Sequence, residues 1–229
     1  MKAVKLTSKK LTTYGNFQWV PMEWRVANKN RLKQCSESAL HCYPTARIAM
    51  FMEISSSYLS ASLFHQCEVD ESRAFRCDGT EIYAKRMRLL DRQITPPVIT
   101  REQRVRIAVR MVDFVIRKRL PRSLRSRWNA WVKMFSVENF NQALFESTSE
   151  LEGLMHEILP YVPKTRKARE AREASCLIMR GFRYLLFYED KLEHLTVQIV
   201  LKARPLFENG DGFAFARKLD RIIAEEMKR

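Results

Sequence analysis

The segment from residue 101 to residue 119 carries two apolar faces, and this limits where it can lie in a folded chain. At about 100° per residue, three valines and an alanine line one face, whereas Ile107, Met111 and Phe114 line another. Thr100 and Gln103 have the spacing of a capping box, which begins a helix at this point. A helix that is apolar on two faces packs between other elements. We therefore expect a largely buried helix over residues 101–119.

The remainder of the chain favours helices as well. It has only six glycines and eight prolines in 229 residues, and its long stretches rich in Ala, Leu, Arg, Glu and Met are typical of helices. We predict a mostly α, bundle-like fold with a small β-hairpin or meander within residues 3–20. The other predicted helices cover residues 21–35, 46–66, 81–93, 121–135, 137–145, 147–160, 165–188, 191–203 and 212–229.

Pro96 and Pro97 form the best candidate for a domain boundary, because neither a helix nor a central strand crosses two prolines easily. We predict an N-terminal helical subdomain over residues 1–97, including the small β element. A basic helical subdomain then covers residues 98–229, and the two pack either separately or as one unit.

Positive charge is concentrated in one part of the chain. Residues 85–133 hold fifteen lysines and arginines against three acids, so they carry +12 of the net charge of +15. Basic side chains gathered in this way are typical of proteins that lie along phosphates. Arginine dominates, and its planar guanidinium can donate two hydrogen bonds to one phosphate.

Two successive predicted helices gather these cations on stripes. In the first helix the stripe lies between the two apolar faces, and in the second it lies opposite the apolar face. Trp128 and Trp131 lie on the apolar side, so we interpret them as packing residues rather than base-stacking residues. Arg166 and Arg169 belong to a later helix, where pairs such as Arg166 with Glu170 fit an exposed, ion-paired helix equally well. The candidate phosphate-contacting residues are Arg106, Arg110, Arg117, Lys118, Arg119, Arg122, Arg125, Lys133, Arg166 and Arg169.

These patterns predict a non-catalytic protein that binds the phosphate backbone of DNA or RNA, together with protein partners in a nucleoprotein complex. The alternative is a helical docking subunit of a larger assembly, such as a replication or RNA-guided effector particle, whose basic face meets an acidic protein. The two basic helices also have the outline of a helix-turn-helix, although the turn lacks glycine and the first helix is long.

Catalytic and cofactor-binding motifs are missing from the sequence. Its four histidines do not form HExxH, and its glycines do not form the phosphate-binding motifs GxxxxGK[ST] or GxGxxG. We therefore expect no enzymatic activity and no cofactor. An acidic cluster at Glu189, Asp190 and Glu193 is the alternative, as a Mg²⁺ site of a nuclease, but such clusters are usually caps or exposed faces.

The cysteines and the apolar segments indicate the cellular compartment of the protein. Cys35, Cys42, Cys67 and Cys77 could supply four zinc ligands, but their wide spacing favours buried structural thiols. The odd number of cysteines, an N-terminus without the apolar run of a signal peptide, and the charged residues interrupting residues 46–64 argue against secretion and a membrane span. We expect a cytoplasmic, nucleoid or nuclear protein.

Overall fold

The structure of the protein is a computed structural model. It describes residues 1–13, 17–27, 39–52, 62–117, 120, 122–135, 153, 192–207 and 211–229. The strands are β1 (Lys2–Ser8), β2 (Thr12–Thr13), β3 (Phe17–Gln18), β4 (Trp24–Val26), β5 (Leu40–Cys42), β6 (Ser62–Val69), β7 (Phe75–Cys77), β8 (Ile82–Ala84) and β9 (Arg86–Ile94). The helices are α1 (Ala46–Met52), α2 (Arg101–Ile116), α3 (Arg122–Met134), α4 (Leu192–Ala203) and α5 (Gly212–Glu226), with a 3-10 helix at Arg204–Leu206.

The predicted fold class, mostly α, is wrong. Of the described residues, 46% are helical and 28% are in strands, so the fold is α+β. The N-terminal β element is confirmed, since β2 and β3 form an antiparallel pair. It is, however, only one of three antiparallel sheets within the described ranges, and "all-alpha" does not describe this protein.

The chain divides into two compact units. The first contains Met1–Ile99 and Asp211–Ala224, and the second contains Thr100–Gly210 and Glu225–Arg229. The domain boundary that we placed after Pro97 remains a prediction.

The first unit is built on a four-stranded antiparallel sheet in the order β1-β6-β9-β4. A second sheet has the order β5-β8-β7, and β2 pairs with β3. Ala3, Cys67, Met87 and Leu89 project from the large sheet into the core of this unit. Strand β9 alternates the charged Arg86 and Arg88 with the buried Met87 and Leu89. This alternation fits a strand, because successive side chains of a strand point to opposite sides of the sheet.

Strand β9 corrects the predicted helix over residues 81–93. Met87 and Leu89 are fully buried, whereas the guanidinium groups of Arg86 and Arg88 pair with Asp70 and Glu68 on the neighbouring strand region. Leucine, methionine and arginine are good helix formers, but here the antiparallel partner β6 decides the conformation. Tertiary pairing has overridden local propensity.

Two further predicted helices are corrected in part. Within residues 21–35, Trp24–Val26 is the edge strand β4 and Pro21 lies in a turn; residues 28–35 lie outside the described ranges. Within residues 46–66, Thr45 begins α1 as expected, since its hydroxyl accepts a hydrogen bond from the Ile48 amide at 3.2 Å. Residues 53–61 are not described, and Ser62–Val69 is β6.

The turn predicted at residues 78–80 is confirmed, but it joins two strands instead of beginning a helix. The Asp78 side chain accepts hydrogen bonds from the amides of Thr80 and Glu81, at 3.2 and 3.0 Å. Gly79 has a φ of 108°, which glycine adopts without the strain that a Cβ would bring. The result is a tight connection from β7 to β8.

In the second unit, the described elements are helical. Helix α2 packs against α4 and α3, and these three helices confirm the predictions over residues 101–119, 121–135 and 191–203 within the residues described. The predicted helix over residues 212–229 is confirmed by α5, most of which belongs to the first unit. The predicted helices over residues 137–145, 147–160 and 165–188 lie outside the described part of the chain, apart from the helical Gly153.

Candidate functional site

Helix α2 begins at the predicted capping box. The Thr100 hydroxyl accepts a hydrogen bond from the Gln103 amide at 3.2 Å, and the Gln103 side chain accepts one from the Thr100 amide at 2.9 Å. Both predicted apolar faces are buried except at Phe114, which is 40% exposed. The prediction therefore placed Phe114 wrongly in the core.

Arg104 is fully buried in α2, a position the charge pattern did not single out. Burial lowers the pKa of its guanidinium to about 10, and the charge of Glu193 partly offsets that effect. Glu193, one of the three residues considered as Mg²⁺ ligands, therefore acts electrostatically on a buried arginine. Asp190 and Glu189 lie outside the described residues.

Two of the predicted phosphate-contacting arginines of α2 have partners within the second unit. Arg106 donates a hydrogen bond from Nε to the Phe135 carbonyl at 3.0 Å and has Glu102 3.8 Å away. Arg110 donates from Nη1 to Glu226 at 2.8 Å and from Nη2 to Glu225.

The ion pairs of Arg110 have a larger combined effect on its pKa than burial has. Burial alone would lower the pKa of Arg110, but the hydrogen bonds to Glu225 and Glu226 outweigh burial and raise that pKa. Glu226 is fully buried and its backbone carbonyl also accepts a hydrogen bond from Gln103 at 3.1 Å. Arg110 therefore neutralises a buried carboxylate.

At the C-terminal end of α2 the charge becomes accessible. The Arg117 side chain is 56% exposed and forms an ion pair with Asp113, whose carboxylate lies 3.8 Å from Nε. Lys118 and Arg119 lie outside the described residues, and Leu120 is buried. The predicted basic turn thus begins with an exposed guanidinium.

Helix α3 buries Leu124, Trp128 and Trp131 on its apolar side. Trp128 and Trp131 have almost no exposed surface, and their ring centroids lie 4.9 Å apart. Trp128 donates a hydrogen bond from Nε1 to Asp113 at 2.9 Å, which satisfies its polar atom. The interpretation of the two tryptophans as packing residues is confirmed, and neither ring is open to a base.

The opposite side of α3 is cationic. The helix has four basic residues and no acid. Arg122 and Lys133 are exposed, lie on the same face three turns apart and have no ion-pair partner among the described residues. At about 1.5 Å of rise per residue, their Cα atoms are separated by about 16 Å. Ser126 and Asn129 lie between them on that face.

The remaining two cations of α3 lie at its flanks. Arg125 is half-buried and donates a hydrogen bond from Nε to the Leu120 carbonyl at 3.1 Å. Arg127 is also half-buried, and a Cβ at Gly153 would lie 2.8 Å from one of its guanidinium nitrogens. Arg166 and Arg169 are outside the described ranges, so the structure tests neither.

Phe114 stands beside the cations at the end of α2. Its ring stacks on Phe207 with a centroid distance of 5.7 Å and an interplanar angle of 29°. Arg110 and Arg117 lie four residues before it and three residues after it, so all three share a side of α2. That spacing between two arginines is the sequence signal that could have separated Phe114 from the core.

The first unit contains a cluster of titratable groups around Tyr83. The hydroxyl groups of Tyr83 and Tyr43 both donate to the carboxylate of Glu81. Burial raises the pKa of Tyr83, and the hydrogen bond to Glu81 raises it further. Tyr83 has no exposed surface, so we interpret the cluster as structural.

His41 packs edge-on against Tyr83, with ring centroids 4.8 Å apart. Burial lowers the pKa of His41 to about 4, the charge of Lys5 lowers it further, and Asp78 partly opposes both. The imidazole is therefore neutral at physiological pH.

Three of the four cysteines considered as zinc ligands are described. Cys42 and Cys67 are buried thiols in the core, and Cys77 is half-buried. Burial raises the pKa of Cys42 well above its usual value, and a hydrogen bond with Cys67 raises it further. Among the described residues, no three His, Cys, Asp or Glu side chains are grouped so that they could hold a metal ion; Cys35 lies outside those residues.

A helix that crosses a bilayer needs about 20 predominantly apolar residues. No helix within the described ranges is both long enough and apolar enough to cross a membrane.

Comparison of the chain with protein-family models, with curated proteins and with solved structures gives no match.

Proposed function

We propose that this protein binds nucleic acid without catalysis, by contacting the phosphate backbone through the cationic side of α3 and the end of α2. We call this surface the α3 interface. It consists of the exposed Arg117, Arg122 and Lys133 and the half-buried Arg125. Lys118 and Arg119, which stand between the two helices in the sequence, lie outside the described residues and stay predictions.

The observation that carries the proposal is the asymmetry of α3. Its tryptophans are fully buried on one side, and its opposite side has basic residues and no acid. An exposed helix that served only for solubility would normally mix both signs of charge in i,i+4 pairs. A face of one sign instead raises the local concentration of an anionic partner.

Contrast with α2 supports the choice of α3. Arg106 and Arg110 hold Glu102, the Phe135 carbonyl, Glu225 and Glu226, so they have roles within the second unit. Arg122 and Lys133 have no such partner in the described part of the chain. A phosphate that bound Arg110 would have to replace the existing ion pairs of this arginine. The exposed Arg122 and Lys133 can bind a phosphate without such a loss.

A binding measurement with charge-matched variants tests the proposal. We expect a fluorescently labelled random oligonucleotide of about 20 nucleotides to lose roughly tenfold or more in affinity in the Arg122→Ala/Lys133→Ala variant. The control is Arg73→Ala/Lys202→Ala, which removes one exposed arginine and one exposed lysine elsewhere. Equal losses in both variants would mean that net charge matters and the α3 interface does not.

An acidic protein partner is the alternative outcome of the same experiment. In that case wild-type protein has little affinity for the oligonucleotide at physiological salt, and the α3 variant loses binding to a polyglutamate peptide instead. Such a result would replace nucleic acid by an acidic protein as the partner of this surface.

A further inference from the structure

The surface next to the α3 interface presents an aromatic ring. Four large apolar side chains are exposed in the described part of the chain, namely Met22, Val26, Val98 and Phe114, and Phe114 is the aromatic one. Exposing a phenylalanine ring to water is unfavourable, so a partner that covers the ring gains free energy from it.

The Phe114 ring is already ordered. It stacks on Phe207, with the centroids 5.7 Å apart, yet 40% of the residue is exposed. A ring that already stacks on a neighbouring ring loses little conformational entropy when another planar group covers its exposed part. This arrangement suits stacking by a flat ligand better than it suits a mobile side chain.

Cations on the same side of α2 identify that ligand as a nucleotide base. Arg117 lies one turn after Phe114, a rise of about 5 Å, and its guanidinium is 56% exposed. The long, largely exposed side chain of Arg117 can reach the phosphate of a nucleotide whose base covers the Phe114 ring. The tryptophans of α3 cannot take this role, because they are buried.

Stacking also selects between single and double strands. Bases within a duplex are covered on both faces by their neighbours, whereas unpaired bases can stack on an aromatic side chain. We propose that Phe114 is a base-stacking residue and that the α3 interface binds single-stranded nucleic acid. This inference rests on the proposed function, since it adds a base contact to the same phosphate-binding surface.

The experiment compares Phe114→Leu with wild type on three probes: a single-stranded oligothymidylate, an abasic strand with the same number of phosphates, and a duplex. Wild type should bind the oligothymidylate most tightly. The leucine retains an apolar contact with Phe207 but has no π-face, so its affinity for oligothymidylate should fall about fivefold to a hundredfold. Affinity for the abasic strand should not change.

Two controls separate stacking from other effects. Phe114→Tyr retains the π-face and should bind oligothymidylate as wild type does. Val98→Ala removes an exposed apolar side chain from the first unit and should have no effect on any probe. An oligouridylate of equal length compares RNA with DNA on the same surface.

The possible results distinguish failure of this inference from failure of the proposed function. If Phe114→Leu binds oligothymidylate as wild type does, while Arg122→Ala/Lys133→Ala still loses affinity, the stacking role is wrong and the phosphate contacts remain. If wild type prefers the duplex, the single-strand assignment is wrong. If wild type binds none of the probes, the proposed function itself fails.

Discussion

Individual arginines in this protein have different roles, although the sequence presents them as one stripe. Arg110 pairs with the fully buried Glu226, and Arg117 on the same side of α2 is largely exposed. Their sequence contexts are similar, because both follow apolar residues in one helix. Local sequence could not separate them, since the partners of Arg110 come from more than a hundred residues later in the chain.

The role of Arg110 leads to a stability prediction. Arg110→Ala should lower the free energy of unfolding by about 2–4 kcal/mol, because the buried carboxylate of Glu226 then keeps only the longer ion pair with Arg229, at 3.5 Å. Adding Glu226→Gln should restore part of that loss, since the buried group then carries no charge. Urea denaturation measures both effects.

Arg122→Ala is the control for Arg110→Ala. It removes an exposed arginine and should change the free energy of unfolding by less than about 0.5 kcal/mol. If Arg110→Ala were as harmless as Arg122→Ala, the pairing with Glu226 would not stabilise the second unit.

Two histidines, the half-buried His41 and the buried His65, make the first unit sensitive to acid. The folded-state pKa of His41 is about 4, below the ordinary value of 6.5, and burial lowers the pKa of His65 as well, with partial opposition from Asp91. Between these pH values the unfolded chain binds more protons than the folded chain. The contribution of His41 to the free energy of unfolding is therefore fully present above pH 6.5 and is lost as the pH falls towards 4.

The corresponding test is a urea unfolding series from pH 7 to pH 4. His41→Gln should flatten the decline of the free energy of unfolding over this range by ~2 kcal/mol. His194→Gln is the control, because His194 is exposed on α4. Parallel curves for wild type and His41→Gln would contradict the assignment of the acid sensitivity to His41.

At the scale of elements, only glycine fits at position 212, because the start of α5 lies close to the turn after β7. A Cβ on Gly212 would lie 2.1 Å from the Cys77 carbonyl oxygen and 2.7 Å from the Gly79 nitrogen, both in the first unit. Backbone atoms cannot move aside as the end of a side chain can. The contact therefore requires glycine at the start of α5.

Gly212→Ala should destabilise the protein by about 2 kcal/mol or more, although alanine is normally the better residue in a helix by about 1 kcal/mol. Gly153→Ala is the matched control, since its Cβ would meet the flexible end of the Arg127 side chain. Thermal melts of both variants decide the matter. A stabilised Gly212→Ala would show that propensity outweighs the contact.

Elements that depend on local signals were predictable, and those that depend on distant partners were not. The capping box at Thr100 and the cap at Thr45 involve residues within one helical turn, so the sequence contains the whole interaction. Strand β9 depends on β6 and β4, which lie far away along the chain. Its alternation of arginines with Met87 and Leu89 is a strand signal that helix-forming composition concealed.

For the molecule as a whole, the concentration of charge was visible in the sequence, but its accessibility was not. The segment 85–133 includes arginines that belong to a sheet, to buried pairs in α2 and to the exposed side of α3. Charge counting treats these alike. The interface that we propose contains only the exposed Arg117, Arg122 and Lys133 and the half-buried Arg125 among the described cations, so it is smaller than the predicted one.

The most direct measurement of the central claim is the salt dependence of binding to a single-stranded oligonucleotide. For the four described cations of the α3 interface, a plot of log K against log salt concentration should have a slope of about −3. In Arg122→Ala/Lys133→Ala the slope should become shallower by about 1.4, and in Arg73→Ala/Lys202→Ala it should not change. A slope near zero for wild type, or the same slope in all three proteins, would contradict the phosphate-binding role of α3.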